Sequence, residues 1–421
     1  MNKIIGNIIT FVFIIVTLYC IGYICILYQD AFTNISLEAK TNIFKNPKSM
    51  YLLTPLLFWV ASRSFLFKNA NGPLNSNIHN LFNNPDYPNY FKTVYPFSSI
   101  LAIIASSLIA AYAGGALGPE TPTVYISMVL LLYACSLFKT VFKNISSELN
   151  FESVLYLGYV FAITLLFNSP VASFVLSIEK PLREGSPYIL SNIAYCCIGI
   201  YVAYTLASYS AGNLFDETPV EFVYSVTHIF QYLFLAVICG IISSVLMKTM
   251  TLLFYGVRSL VTKSAVLLNV IPIVFGFCVA ALINYSENAS RIVGSGINLV
   301  NCELNDSCTY NFSTLFQFLC NVILTFISGC SGGQKFVFMS IGGGIGSLYD
   351  NFTSVPHIQS IIIGITSFFS TIFGSPFSSA LIILKTTNLS YESLPMLIAA
   401  SLVSHYTFKY INEKINEKQT T

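Results

Sequence analysis

Stretches of about 20 mostly apolar residues, long enough to cross a bilayer as a helix, recur along this sequence from end to end. They lie at roughly 4–28, 98–117, 122–138, 154–178, 188–210, 225–254, 264–284, 315–330, 358–384 and 394–410. In lipid no water is present to satisfy a backbone N–H or C=O, so such a chain closes its hydrogen bonds within helices. Composition agrees: 55% of the 421 residues are hydrophobic and 9% are charged, against about 25% charged in soluble domains. The predicted fold class is an all-α polytopic membrane protein with a lipid bilayer as its surroundings. The net charge is +2 and no basic run occurs, which argues against a nucleic-acid partner. The window after Met-Asn-Lys exceeds a signal-peptide h-region and no small-residue cleavage site follows "ICILYQD", so it reads as a retained first helix.

Glycine and proline break several of these windows, and the breaks recur. "FNSPVASFVLSIEK" (167–180) and "FGSPFSSALIILK" (373–385) share Phe, Ser-Pro, a further Ser, and an apolar helix ending in lysine. Each lies downstream of a glycine-rich interruption, "GGALGPETP" at 114–122 and "SGCSGGQKF" at 328–336. The chain divides into an N-terminal helix and connection (1–49), a first membrane repeat (50–215) and a second (216–421). Transporters are often built from two such halves in inverted orientation, with discontinuous helices meeting near the bilayer midplane.

The Ser-Pro starts have a physical reading. Serine caps exposed N–H groups, and proline at the first helical position gives up a donor that would otherwise be orphaned. A helix beginning inside the membrane directs free N–H groups and partial positive charge at whatever precedes it, an arrangement that binds anions. Against that background Glu120 stands out, as the only charged side chain between Lys92 and Lys139. It is either a helix-capping or ion-paired carboxylate, or a group placed in a transport pathway, where intramembrane acids usually belong.

Most of the eleven cysteines lie inside apolar segments and read as small hydrophobes. Cys302 and Cys308, in the polar loop "NCELNDSCTY", either pair in an oxidising compartment or are two free thiols. His79, His228, His357 and His405 are scattered, no metal-ligand spacing appears, and no cofactor is expected. The spans hold no Ser/His/Asp or metal constellation, so the chain does not read as an enzyme.

The motifs resemble the CLC family of chloride channels and proton-coupled chloride transporters. "FNSPVASFVLSIEKPL" is similar to the family's Phe-Asn-Ala-Pro-Leu-Ala-Gly helix start with its Ile-Glu-Glu end, and "GPETPTV" to its Gly-Arg/Lys-Glu-Gly-Pro-x-Val. Registered on Pro122-Thr123-Val124, the resemblance places the gating glutamate on Glu120. "SGCSGGQKFVFMSIGGGIGSL" resembles the segment carrying Gly-x-Phe-x-Pro, and "FGSPFSSALIILKTTNLSYESLPMLIAASLV" the last two helices, so the likeness runs over about residues 60–411. It implies anion binding at Gly333, Gln334, Lys335 and Phe336. It also implies an anion-coordinating serine, placed on Ser76 in "NSNIH", and a tyrosine ligand, Tyr410, with Tyr406 as its rival.

Two departures bear on mechanism. The family's inner proton glutamate falls on Lys180, which is either a proton carrier with lowered pKa or half of a Glu179–Lys180 helix-end pair at the interface. Lys335 replaces the family's phenylalanine; it attracts anions, pairs with Glu120 to lock the path, or reaches an aqueous vestibule. The resemblance implies chloride transport with protons as the exchanged partner and Glu120 as gate and proton carrier. The alternatives are a passive chloride channel of the same fold and a degenerate, non-transporting homologue. A homodimer with one pathway per subunit is implied, and a bacterial inner membrane is expected. The chain stops at Thr421, just past the last span, so no cytosolic regulatory domain is expected.

Overall fold

The computed structural model describes residues 2–45, 50–63, 96–141, 151–184, 189–208, 224–286, 289–305 and 311–420, with the single positions 215 and 222. The described residues form helices. The first part of the chain holds α1 (Asn2–Lys45), α2 (Met50–Ser62), α3 (Ser98–Tyr112), α4 (Glu120–Val141), α5 (Phe151–Phe167), α6 (Pro170–Glu184) and α7 (Ile189–Ala207). The second holds α8 (Val226–Lys263), α9 (Ala265–Tyr285), the short α10 (Ile297–Leu304), α11 (Phe312–Ile327), α12 (Lys335–Asp350), α13 (His357–Phe373), α14 (Pro376–Thr386) and α15 (Leu394–Thr420). Segments Ile8–Thr41, Glu120–Val141, Val226–Lys263 and Ala265–Tyr285 are each long and apolar enough to span a bilayer. Leu27, Phe230 and Val266 are 67–69% exposed on the outside, a surface that lipid covers.

The windows at 154–178 and 358–384 do not form single spans. Each is two helices, α5 and α6 or α13 and α14, with a two-residue break at Asn168–Ser169 or Gly374–Ser375. Asn168 (φ 46°) and Gly374 (φ 72°) take the left-handed conformation, which glycine and asparagine tolerate best. That requirement explains the Phe-Asn/Gly-Ser-Pro pattern. The left-handed residue ends one helix and proline opens the next.

Corresponding helices have corresponding neighbours. Among the earlier helices α4 packs on α5, α5 on α7, and α7 on α1; among the later ones α12 packs on α13, α13 on α15, and α15 on α8. Counterparts also meet directly, α2 against α9 and α6 against α14. α1 thus takes the same place beside α7 that α8 takes beside α15. The tightest contact is α12 on α13. A Cβ on Gly342 would lie 2.4 Å from the Gly364 carbonyl oxygen, and one on Gly346 2.3 Å from that of Ser360, the small-residue contact that lets membrane helices approach closely.

Candidate functional site

The two glycine-rich breaks are held by each other's helices. Ala116 donates its N–H to Thr325 Oγ1 of α11 (3.1 Å), and Ser331 donates its N–H to Ser106 Oγ of α3 (3.1 Å). Asn321 of α11 donates through Nδ2 to the carbonyls of Gly114 (3.0 Å) and Ile292 (2.7 Å), which satisfies non-helical backbone where lipid offers no partner. The breaks then touch. Gly118 N–H donates to Gly333 O at 2.9 Å and Gly333 N–H to Gly118 O at 2.6 Å, an antiparallel bridge of one residue pair.

Glu120 and Lys335 stand two residues beyond that bridge, each as the first residue of a helix, α4 and α12. Glu120 is fully buried. Its carboxylate crosses the bridge and accepts the Phe336 N–H at the start of α12 on Oε1, at 2.5 Å. Oε2 is buried without a hydrogen-bond partner. A Cβ added to Gly118 or to Gly333 would each come within 2.0 Å of Oε2, so the two glycines make the floor on which the carboxylate lies. The side chain therefore caps a helix N-terminus, where negative charge is favoured, but with half of its accepting capacity unused.

A second carboxylate shows what a fully engaged cap looks like. Glu179, near the end of α6, accepts Phe377 N–H on Oε1 (3.2 Å), and Ser378 N–H (3.0 Å) and Ser378 Oγ–H (2.7 Å) on Oε2. Ser375, at the cap position of α14, makes no side-chain cap. The serine expected to cap this helix is thus replaced by a charged acceptor from the other half, which binds N–H groups more strongly. Lys180, the next residue, has its Nζ 4.1 Å from the centre of the Tyr159 ring. Glu179→Ala should lower stability by about 1–3 kcal/mol, read as a lower thermal unfolding midpoint in detergent. Glu120→Gln should leave the midpoint near that of the native protein.

Lys335 is 3% exposed. Its Nζ lies 5.2 Å from the ring centre of Tyr159 and 5.1 Å from that of Phe373, distances at which an aromatic face attracts a cation. It forms no ion pair with Glu120 among the described contacts. Lys180 and Lys335 therefore share one buried aromatic ring. Phe336 is buried, with its ring 5.5 Å from that of Phe167. Gln334 caps α12 with backbone only and is half-buried. Together with Gly333 and Lys335 it borders a cavity of about 40 Å³, whose walls also include Thr121, Thr325 and Cys330. That volume holds one or two water-sized occupants.

Of the residues expected at the site, Glu120, Gly333, Gln334, Lys335 and Phe336 are brought together, with Lys180 one ring away. Ser76 lies outside the described residues. Tyr410 does not take part: it is 61% exposed, with Lys414 Nζ 6.0 Å over its ring, and Tyr406 is equally exposed. Both sit on the outer face of α15, whose inner face carries Ser401 and Ser404. Cys302 is disulfide-bonded; Cys308 lies outside the described residues. Tyr159 and Phe373 carry no mark in the sequence, where an aromatic in an apolar helix gives no signal of what rests on it.

The family model described as voltage gated chloride channel matches residues 54–409. The chain belongs to that family. Its members are membrane transporters or channels for anions, and anion transport across a membrane is accordingly the activity of this integral membrane chain. Among curated protein sequences none matches. Solved structures with the same fold include a CLC-type fluoride/proton antiporter, at TM-score 0.77 and 14% identity over 95% of each chain. A slow cyanobacterial Cl⁻/H⁺ antiporter aligns at TM-score 0.71 and 17% identity, over 98% of this chain and 99% of that one. A eukaryotic CLC transporter aligns at TM-score 0.71 and 13% identity, over 95% of this chain and 72% of the other. As a CLC-family chain, this one places a lysine at the start of α12 and a cap-forming glutamate at the start of α4, in matching positions of the two breaks.

Proposed function

We propose that this protein exchanges chloride for protons, with Glu120 as the gate and proton carrier. The observation that carries the reading is the way Glu120 sits. It occupies the positive end of α12 as an anion would, held by the Phe336 N–H on one oxygen with the other unsatisfied. Ionised, the carboxylate fills the anion's place. Protonated, it loses the charge that the helix end attracts, and chloride takes the N–H in its stead. One group that binds either a proton or the helix end couples the two fluxes. Lys335 then acts as a fixed counter-charge for the entering anion, its ammonium held between aromatic rings.

Support for protons as the second substrate comes from two neighbours of this fold, described as fluoride/proton and Cl⁻/H⁺ antiporters. We further propose two related halves, divided near residue 216, each supplying one break and one helix N-terminus. A homodimer with one pathway per subunit and a bacterial inner membrane complete the reading. A passive channel is the second reading, favoured by Lys180, an ammonium resting on Tyr159 where the family's exchangers carry a carboxylate.

The test is paired anion and proton flux in liposomes holding the purified protein, with chloride and fluoride compared as driving anions. Chloride movement against an opposed proton flow supports exchange. Chloride movement with no proton flow supports the channel. A preference for fluoride removes chloride as the substrate.

A further inference from the structure

A valine and two phenylalanines on one face of α8 border an open groove on the outside of the protein. Val226, Phe230 and Phe234 follow one another at four-residue spacing and are 73%, 69% and 60% exposed. With Thr227, Gln231 and Tyr349 of α12 they wall a space of about 390 Å³, within the range of about 300–1,000 Å³ that small-molecule sites occupy. Polar groups on these walls are engaged within the protein. Tyr349 donates its hydroxyl to the Gln231 carbonyl at 3.1 Å, and Ser354 Oγ donates to Gln231 Oε1 at 3.4 Å. The two described residues just before α8 pack elsewhere: Phe222 sets its ring 5.8 Å from that of the buried Tyr232, and Tyr224 donates to the Glu392 carbonyl.

The depth of the groove decides its occupant. Residues 226–247 include no Asp, Glu, Lys or Arg, and at about 1.5 Å per residue they rise roughly 30 Å, the thickness of the hydrocarbon core. Val226 to Phe234 is about 12 Å of that rise, so the groove lies within one leaflet and runs along most of its depth. Water is absent there, and an empty apolar hollow forfeits the dispersion contacts its walls would otherwise make. We infer that the groove is a binding site for one acyl chain of a phospholipid, which lies along α8 and closes the gap between α8 and the end of α12. Lipid tails are as apolar as these side chains, so the site selects its tail by shape and packing and not by hydrophobicity. The inference is independent of which ions the protein exchanges.

The experiment places the purified protein in phosphatidylcholine liposomes in which a small fraction of the lipid carries a diazirine on its acyl chain. After irradiation and digestion, adducts are mapped by mass spectrometry. Phe312 and Phe316 of α11 serve as the reference, being the same residue type at the same spacing, comparably exposed, and no part of the groove walls. In the wild type Phe230 and Phe234 should carry about threefold or more adducts than that pair. Thr227→Trp, which sets an indole into the groove from its wall, should bring the two pairs level. Thr227→Val keeps the shape and loses only the hydroxyl, so it should label as the wild type does, which separates filling of the groove from damage to the fold. Equal labelling of the two pairs in the wild type overturns the site, and so does labelling that Thr227→Trp leaves unchanged. Loss of labelling at Phe230 and Phe234 as protein density in the membrane rises, with copies cross-linked through this face, assigns the groove to a second copy of the chain and overturns the lipid.

Discussion

Glutamine at position 120 is expected to abolish proton movement and leave anion flux in place. The amide side chain keeps an oxygen for the Phe336 N–H, which lies 2.5 Å from Glu120 Oε1 in the native protein, and keeps the volume over Gly118 and Gly333. It carries neither the negative charge that competes with an anion nor a site for the transported proton. Removing a group that transfers a proton costs about 10²-fold or more in that transfer, so proton flux should fall below detection beside a persisting chloride flux. The pH dependence follows with the same sign. Acid neutralises Glu120 and frees the end of α12, so wild-type chloride flux should rise as pH falls, while the variant should show a flat profile. Proton flux that survives in Glu120→Gln would give the coupling to another group, with Lys180 and Lys335 the nearest cations to examine.

Gly118→Ala is expected to open the same gate by force, with Glu120 intact. The three atoms nearest a Cβ at this position are Oε2 at 2.0 Å, Cδ at 2.7 Å and Oε1 at 3.0 Å, all belonging to Glu120. The methyl group's nearest neighbours are thus the far end of one flexible side chain, so it evicts the carboxylate with little cost to the fold. A hydrogen bond to a charged group contributes about 1.5–3 kcal/mol, and losing it shifts occupancy of the α12 end toward a competing anion by about 10–100-fold. Chloride flux should rise, and the ratio of protons to chloride should fall, with the thermal unfolding midpoint nearly unchanged. Gly333→Ala makes the contrast. Its Cβ meets Oε2 at 2.0 Å but also the Gly118 carbonyl at 2.8 Å, so it should break the bridge between the two halves and lower stability. A Gly118→Ala protein with native flux and native coupling would show that the carboxylate's resting place has no part in gating.

Between them, Glu120 and Glu179 separate a gate from a cap. Both are carboxylates set at the starts of helices distant in the chain, α12 and α14. Glu179 accepts three hydrogen bonds, whereas Glu120 accepts one from Phe336 and keeps a buried oxygen without a partner. A group that must leave and return is the one held incompletely. Residue type alone does not tell these two apart, since each is a glutamate near a Ser-Pro or Gly-Pro break.

Hydropathy and glycine punctuation are local properties, and local properties read well along one chain. The apolar windows, the two glycine-rich breaks, the repeated Phe-x-Ser-Pro starts and the isolation of Glu120 were all legible in the order of residues, and with them the fold class and the family. The window at 154–178 shows where this reading stops. Its average hydropathy cannot register that Asn168 turns left-handed and makes two helices of one stretch. Tyr410 fails for a related reason. Its chemistry suits an anion ligand, but the face of α15 on which it lies is decided by what packs against Ser401 and Ser404.

What the sequence determined by itself, then, was a membrane-spanning helical chain interrupted by two glycine-rich breaks, with one acid in the first and a lysine in the second. Only the tertiary structure decided that the breaks are bonded through Gly118 and Gly333, that Glu120 reaches the start of α12, that Glu179 is committed to α14, and that Lys335 rests between Tyr159 and Phe373. The physical reason is range. Burial in lipid and helix breaking act on neighbours in the chain, whereas the partners of Glu120, Glu179 and Lys335 come from distant helices and are set by how the two halves pack.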